Sequence, residues 1–408
     1  MMPASAPPSA SSRARSGATA LAVGSIVSGV LAYVFFAVVT RALGATDAAP
    51  VSVLWAWWGF AAAGVTFPVQ HWVARSVTAD GSEGPVGGAL PRVVLLVLLA
   101  SVASWLLAWL LRETLFDGIG AFPLLVGAVT ALSGLMGLVR GLLAARARFG
   151  AVGAVLVAEN ALRCLVAALL VAVGSRSPAA YGFALLAGYA ACLAWPSAWR
   201  PRGSGAARPS AAFLGGAAGG QLVGQAVLTG GPVVLALGGG APAEVTALFA
   251  GLALFRAPYT LAVGQVSALT TRVTDLVVGG RTDRVRRLHR GVVAATVVAA
   301  PLAALVGGLL GPPALRLVFG ADAALAGRPS ALVAVGTTVA VAGLVLTVLA
   351  MAHDRAPSIA LAWVVALVPG AAAYALVDDS LDRVVVAFVV VEAVAWLGLS
   401  LAGRPSSP

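Results

Sequence analysis

The chain contains no lysine: all 26 of its basic residues are arginine. Charge of either sign is scarce, at 10% of residues against 60% hydrophobic. A soluble domain of this length does not need so much apolar surface, so that class is excluded. There are two cysteines, Cys164 and Cys192, without CxxC spacing or a histidine partner. They are assigned to packing, and a disulfide scaffold is excluded. The three histidines, His71, His289 and His353, lie far apart, so neither a metal site nor a cofactor is expected. No GxxxxGK[ST] phosphate loop is present, which excludes ATP hydrolysis by the chain itself. HExxH and GxSxG patterns are also lacking. The acidic cluster Asp378, Asp379 and Asp382 reads as a solvated turn rather than the metal-binding loop of a membrane glycosyltransferase. An enzyme is not expected. Missing lysine, with heavy use of Ala, Gly, Val and Pro, points to a GC-rich bacterial genome.

What the chain does have is apolar runs long enough to cross a bilayer. About 20 apolar residues span the hydrocarbon core as a helix. Twelve such spans are predicted, over 18–40, 49–69, 91–111, 119–143, 150–174, 178–198, 211–237, 245–269, 291–312, 329–352, 356–377 and 383–402. The fold class is therefore all-α, a polytopic membrane protein of about 12 helices.

Arginine then sets the orientation. Positive charge collects in short cytoplasmic loops. With the N-terminus placed inside, eighteen arginines fall in inner loops, six in outer ones, and Arg163 and Arg256 within spans. The bias would invert if one span were spurious, so both termini are expected in the cytoplasm of a bacterial cell membrane. The net charge of +11 is mostly this inner collar. It suits anionic lipid headgroups rather than nucleic acid.

Residues 1–17, rich in Pro, Ser and Ala, read as a disordered cytoplasmic tail. The stretch 200–210, RPRGSGAARPS, has three Arg and no apolar run, and reads as a cytoplasmic linker. It divides an N-terminal six-helix bundle, 18–199, from a C-terminal one, 211–408. Both halves then start on the same side, as in transporters with parallel repeats. Two Leu-Gly exits, LGATDAAPVSV (43–53) and LGGGAPAEVTA (237–247), form a faint internal repeat.

Charges and amides within spans carry the functional information, because a charge at mid-bilayer costs about 2.5–3.5 kcal/mol on insertion scales. Glu159 and Arg163 are four apart on one helix face and can pair. That pair either pins the helix or presents Arg163 to a ligand. Arg256, in LFRAPYTL, has no acid within four residues. It needs an interhelical partner or an anionic ligand. Glu392 is a coupling-ion or proton site, a partner for an arginine, or a neutral buried acid. Gln221 and Gln225, among the glycines of the seventh span, suggest a polar, deformable face toward the interior. Ten tryptophans, Trp55, Trp57 and Trp58 among them, fit interface anchoring, and Trp57 or Trp58 could stack on a sugar ring.

Several stretches bring a family into view. TRALGATDAAPVSVLWAW (40–57) and FPVQHWVAR (67–75) resemble the first two helices of polysaccharide and oligosaccharide flippases of the multidrug/oligosaccharidyl-lipid/polysaccharide exporter superfamily. RGLLAARARFG (140–150), ENALRCLVAALL (159–170) and LFRAPYTLAVGQVSALTTRV (254–273) are similar to later parts of the same pattern. The resemblance implies two bundles around a central cavity. It implies that lipid-linked sugars move from the inner to the outer leaflet in polysaccharide biosynthesis. It places the sugar-pyrophosphate against Arg256 and Arg163, with Arg41 and Arg75 flanking. The substrate would be a lipid-linked glycan, and glycan-assembly proteins would be possible partners. The first span lacks the acid that drug-extruding members often carry there, and the energy source stays open.

Physical chemistry leads to the same substrate class. Arginine's planar fork holds a phosphate by charge-assisted hydrogen bonds. A gap between the halves lets a polyprenyl tail stay in lipid while the headgroup crosses. The rival readings are a proton-coupled small-molecule or drug exporter, in which Glu159 or Glu392 titrates, and a non-transporting membrane partner in a glycan pathway.

Overall fold

The computed structural model describes residues 10–203, 205, 223–353 and 355–404. Among these residues the chain is helical, without strands. The long first element, α1 (Ala10–Ala61), is two helices joined at Gly44, whose backbone has φ 80° and ψ 169°. Only glycine adopts that conformation without strain. A single residue thus turns the chain between the first and second predicted spans. A π-helical turn, Ala62–Thr66, leads into α2 (Phe67–Asp80). The π-turn re-aims Thr66, whose hydroxyl donates to the Ser133 carbonyl at 3.1 Å.

The first group continues with α3 (Gly84–Leu110), the short α4 (Arg112–Phe116), α5 (Ala121–Ala145), α6 (Phe149–Ala172) and α7 (Pro178–Ala187). Two 3-10 turns, Gly188–Ala194 and Pro196–Ala198, complete it. The sixth predicted span is therefore α-helical only over its first half. The second group holds α8 (223–229), α9 (Gly231–Leu237), α10 (Pro242–Phe255), α11 (Ala257–Val278) and α12 (Thr282–Phe319). It ends with α13 (Gly327–Ala352), α14 (Ala356–Leu376) and α15 (Ser380–Ala402).

Eight helices among the described residues are long and apolar enough to cross a membrane. The first of them, Thr19–Asp80, covers two predicted spans because of the turn at Gly44. Three predicted spans are not among these eight. The sixth is shortened by its 3-10 turns, part of the seventh lies outside the described residues, and the eighth breaks at Arg256.

Helix packing here cannot rest on water exclusion alone, since lipid is as apolar as leucine. Small residues do the work. Gly24 on α1 meets Gly153 on α6 so closely that a Cβ would stand 2.7 Å from the Gly153 Cα. α5 is the centre of the first group, packing on α2, α3, α6 and α7. On α3, by contrast, Leu95, Leu98, Leu99 and Leu106 are about half exposed. Such a face is a liability in water and ordinary against acyl chains.

α1 also reaches into the second group, against α9, α10, α11 and α12. Phe36 lies 4.5 Å from Phe249 and 5.5 Å from Phe319, centroid to centroid, and Trp55 lies 5.8 Å from Phe249. The Thr246 hydroxyl donates to the Ala45 carbonyl at 2.6 Å. Arg41 donates through Nε to Val318 O at 3.1 Å and through Nη2 to Leu317 O. It thereby caps the last carbonyls of α12, where the helix dipole favours a cation. The two groups are fastened at the end predicted to face outward.

Candidate functional site

Inside the first group a buried polar knot forms around Glu159 of α6. The sequence pairs Glu159 with Arg163, but the structure adds a second cation. Arg140, from the last turns of α5, donates Nη2 to Glu159 Oε2, while Arg163 Nη2 lies 2.5 Å from Oε1. The sequence pattern counts Arg140 among the eighteen inner-loop arginines, but the structure buries it, at 7% exposure. The reason is the long reach of α5, whose final turns remain packed against α2 and α6. Nineteen residues separate Arg140 from Glu159, so helical periodicity gave no signal for the contact.

Arg163 is fully buried and heavily engaged. Its Nε donates to Leu185 O at 2.9 Å and its Nη1 to Asn160 Oδ1 at 3.2 Å. Asn160 Nδ2 in turn donates to Ser28 Oγ at 2.8 Å, tying α6 to α1. The guanidinium carbon stands 4.7 Å from the Trp58 ring centroid and 5.9 Å from that of Tyr189. Half-buried Trp58 thus lies against a cation within the protein. Gly188 is required beside it, because a Cβ there would lie 2.6 Å from Arg163 Nε and 2.7 Å from the Glu159 carbonyl. Two guanidiniums around one carboxylate leave an excess of one positive charge. Arg140 Nε is buried without a hydrogen-bond partner among the described residues.

The second candidate centre lies where the two groups meet. α10 ends at Arg256, whose N–H bonds Leu252 O, and α11 starts directly after it. Pro258 occupies the first turn of α11, where the missing N–H would be unpaired in any case. The break therefore follows from the RAP sequence. Arg256 is half-buried, and no hydrogen bond or ion pair joins its guanidinium to another described residue. Tyr33 of α1 and Tyr259 of α11 are its electrostatic neighbours. The Tyr33 hydroxyl donates to Ala253 O at 2.5 Å, holding α1 against the end of α10.

Glu392 of α15 is 2% exposed, and its Oε1 is buried without a hydrogen-bond partner among the described residues. No ion pair involves it among the described residues, so of its three sequence readings the arginine partnership has no counterpart there. Tyr259 lies within its electrostatic range as well as that of Arg256. Gln225 is half-buried on α8, and its carbonyl accepts from the Thr229 hydroxyl at 2.7 Å. Gln221 lies outside the described residues. Arg75 is exposed on α2, and Arg41 is the cap of α12 described above. The structure thus brings Glu159, Arg163 and the unforeseen Arg140 together, and sets Arg256 and Glu392 around Tyr259. These are two separate centres.

No protein-family model matches the chain, and no curated protein matches it. Solved structures do. An inward-facing multidrug resistance MATE family transporter of the MOP superfamily aligns at a TM-score of 0.68 and 16% identity, over 92% of this chain and 94% of that one. A eukaryotic MATE transporter aligns at 0.60 and 15% identity, covering 95% of each chain. A MOP superfamily transporter from Pyrococcus furiosus, described as having a binding pocket of reverse polarity, aligns at 0.57 and 14% identity, over 96% of this chain and 93% of its own. The chain has the two-lobed, all-helical membrane fold of the MATE transporters of the MOP superfamily.

Proposed function

We propose that the chain is a membrane transporter that carries an anionic, lipid-linked oligosaccharide headgroup from the inner to the outer leaflet by alternating access. The observation that carries this reading is the polarity of the interior. Arg256 offers, where the two helix groups meet, a guanidinium without a hydrogen-bond or ion-pair partner among the described residues, and the knot around Glu159 adds a net positive charge. An interior of that sign favours a phosphate or pyrophosphate over a cationic drug. Tyr33 and Tyr259 beside Arg256 supply hydroxyls suited to a sugar. The arginine-rich loops would face the cytoplasm and its anionic lipids, with both termini inside.

A second reading is favoured by different observations. The solved neighbours include a protein described as a multidrug resistance transporter, which speaks more directly for a small-molecule exporter than for glycan flipping. Glu392, buried and without an ion-pair partner among the described residues, suits proton or cation coupling. Leaflet-resolved detection of lipid-linked sugar separates the readings. Cells bearing Arg256→Ala should accumulate the glycan on the inner leaflet while the protein remains in the membrane. Arg256→Lys should retain part of the activity, keeping charge without the bidentate fork. Unchanged leaflet distribution in the alanine variant, with drug sensitivity in Glu392→Gln, would establish the exporter instead.

A further inference from the structure

The knot around Glu159 lies toward the end of the first helix group where α5 finishes, and a strap of chain crosses that end. α5 orders the layers. Met136 faces Cys192, whose Sγ lies 3.7 Å from its Sδ, and Arg140, about one turn on, meets Glu159. Arg146 caps the helix about 9 Å further along and meets the strap, residues 197–203. Its Nη1 donates to Ser197 O at 2.7 Å, while its Nε and Nη2 grip the two Glu83 oxygens at 2.7 and 2.8 Å. The Arg202 N–H donates to Glu83 Oε2 at 2.7 Å, and just past the strap the Gly205 N–H donates to Gly84 O at 3.1 Å. Gly87 makes room for this, since a Cβ there would stand 2.7 Å from the Gly203 carbonyl oxygen. Trp199 Nε1 donates to Cys192 O at 2.8 Å, so the strap is tied to the turn that carries Cys192.

The fastening is uneven. Ala198 is fully buried, but Arg200, Arg202 and Gly203 are exposed, so beyond Trp199 the strap has little apolar packing and is held mainly through Glu83. A segment held by surface polar bonds opens locally at far lower cost than the helices beneath it. We propose that 197–203 is a lid over this end of the first helix group, with Glu83 as its catch. Closed, it keeps water from a buried knot that carries excess positive charge. Open, it admits water to Cys192 and Arg140. The lid is independent of what the protein carries.

The native Cys192 thiol, 1% exposed, is the reporter. In the purified full-length Cys164→Ser protein, a small water-soluble maleimide should label Cys192 slowly. Glu83→Gln keeps the shape of the side chain but removes the charge behind three hydrogen bonds, and labelling of Cys192 should rise about tenfold or more. A control thiol, Val333→Cys in protein lacking both native cysteines, is fully buried on α13 of the second group. Its rate should not change with Glu83→Gln, all rates being measured well below the melting of the variant. An unchanged Cys192 rate would overturn the lid. Equal acceleration at both thiols would overturn it too, because that signals general loosening. Hydrogen exchange on the wild-type protein tests the lid without any substitution. The Arg202 and Gly205 amides should exchange together, faster than the amides of α5 and slower than an unstructured chain. Exchange at the α5 rate would show a fixed part of the bundle, and exchange at the unstructured rate would show no closed lid; either result overturns the proposal.

Discussion

Glu159→Ala leaves two guanidiniums, Arg140 and Arg163, facing each other in the middle of the first helix group. Removing one partner of a buried ion pair costs about 3–5 kcal/mol, because the survivor is stranded. Glu159 closes two such pairs, so its loss belongs at the top of that range or above it. Arg163→Ala leaves Glu159 paired with Arg140. The charge then balances, but the space between Trp58 and Tyr189 empties, so an intermediate loss of about 2–3 kcal/mol is expected. Arg140→Ala leaves the neutral Glu159–Arg163 pair intact, and stability should stay within about 1 kcal/mol of wild type. The double change Glu159→Ala with Arg163→Ala recovers only part of the loss, since Arg140 is still unpaired; adding Arg140→Ala should recover more. Melting of the detergent-solubilised variants, read as the monodisperse fraction remaining after heating, gives the ranking. Arg140→Ala as damaging as Glu159→Ala, or full recovery in the double variant, would show that the three residues do not share one charge balance.

Three other outcomes follow from the packing and the surface. Arg146 donates Nε and Nη2 to the two Glu83 oxygens at 2.7 and 2.8 Å, and the Arg202 N–H adds a third bond at 2.7 Å. The Arg146 hydrogen bond holds the Glu83 carboxyl below its ordinary value against the opposing effect of burial. Its stabilisation is therefore present above the ordinary carboxylate range and is lost as pH falls through the lowered folded-state value. Wild type should melt above Glu83→Gln at neutral pH and converge with it in acid; a constant gap would refute this. Gly24→Val should destabilise by about 1–3 kcal/mol, because its Cβ meets the Gly153 backbone, whereas the same change at the open Gly29 should not on steric grounds. Melting the two variants side by side checks it. Arg41→Ala removes the cap on α12, so a cysteine placed at Thr246 should react faster with an impermeant thiol reagent added outside; an unchanged rate would count against Arg41 as a fastener.

Most helix positions are legible because they rest on a local signal, an apolar run or Gly44 in a turn; the break at Arg256 is not, since the apolar run 245–269 reads as one continuous span and only Pro258 marks the division. The charge network was readable only where it is local too. Glu159 and Arg163 are one turn apart and share a face, but Arg140 comes from another helix, and its place at the end of an apolar run made it look like a loop charge. Glu392 shows the converse. Its position in a span is plain, while its lack of an arginine partner among the described residues depends on how α15 packs against α14 and the α8 region, which no sequence spacing encodes. Half of the amide pair, Gln221, falls outside the described residues.

The aromatic cluster between the two helix groups has a consequence for any membrane that houses the protein. A membrane that stores energy as an ion gradient is drained by any continuous wet path through a protein within it. Phe36, Phe249, Phe319 and Trp55 are each 5% exposed or less and packed ring against ring. Where these rings meet, the contact between the two groups is dry, and a file of water molecules has no room to pass between them.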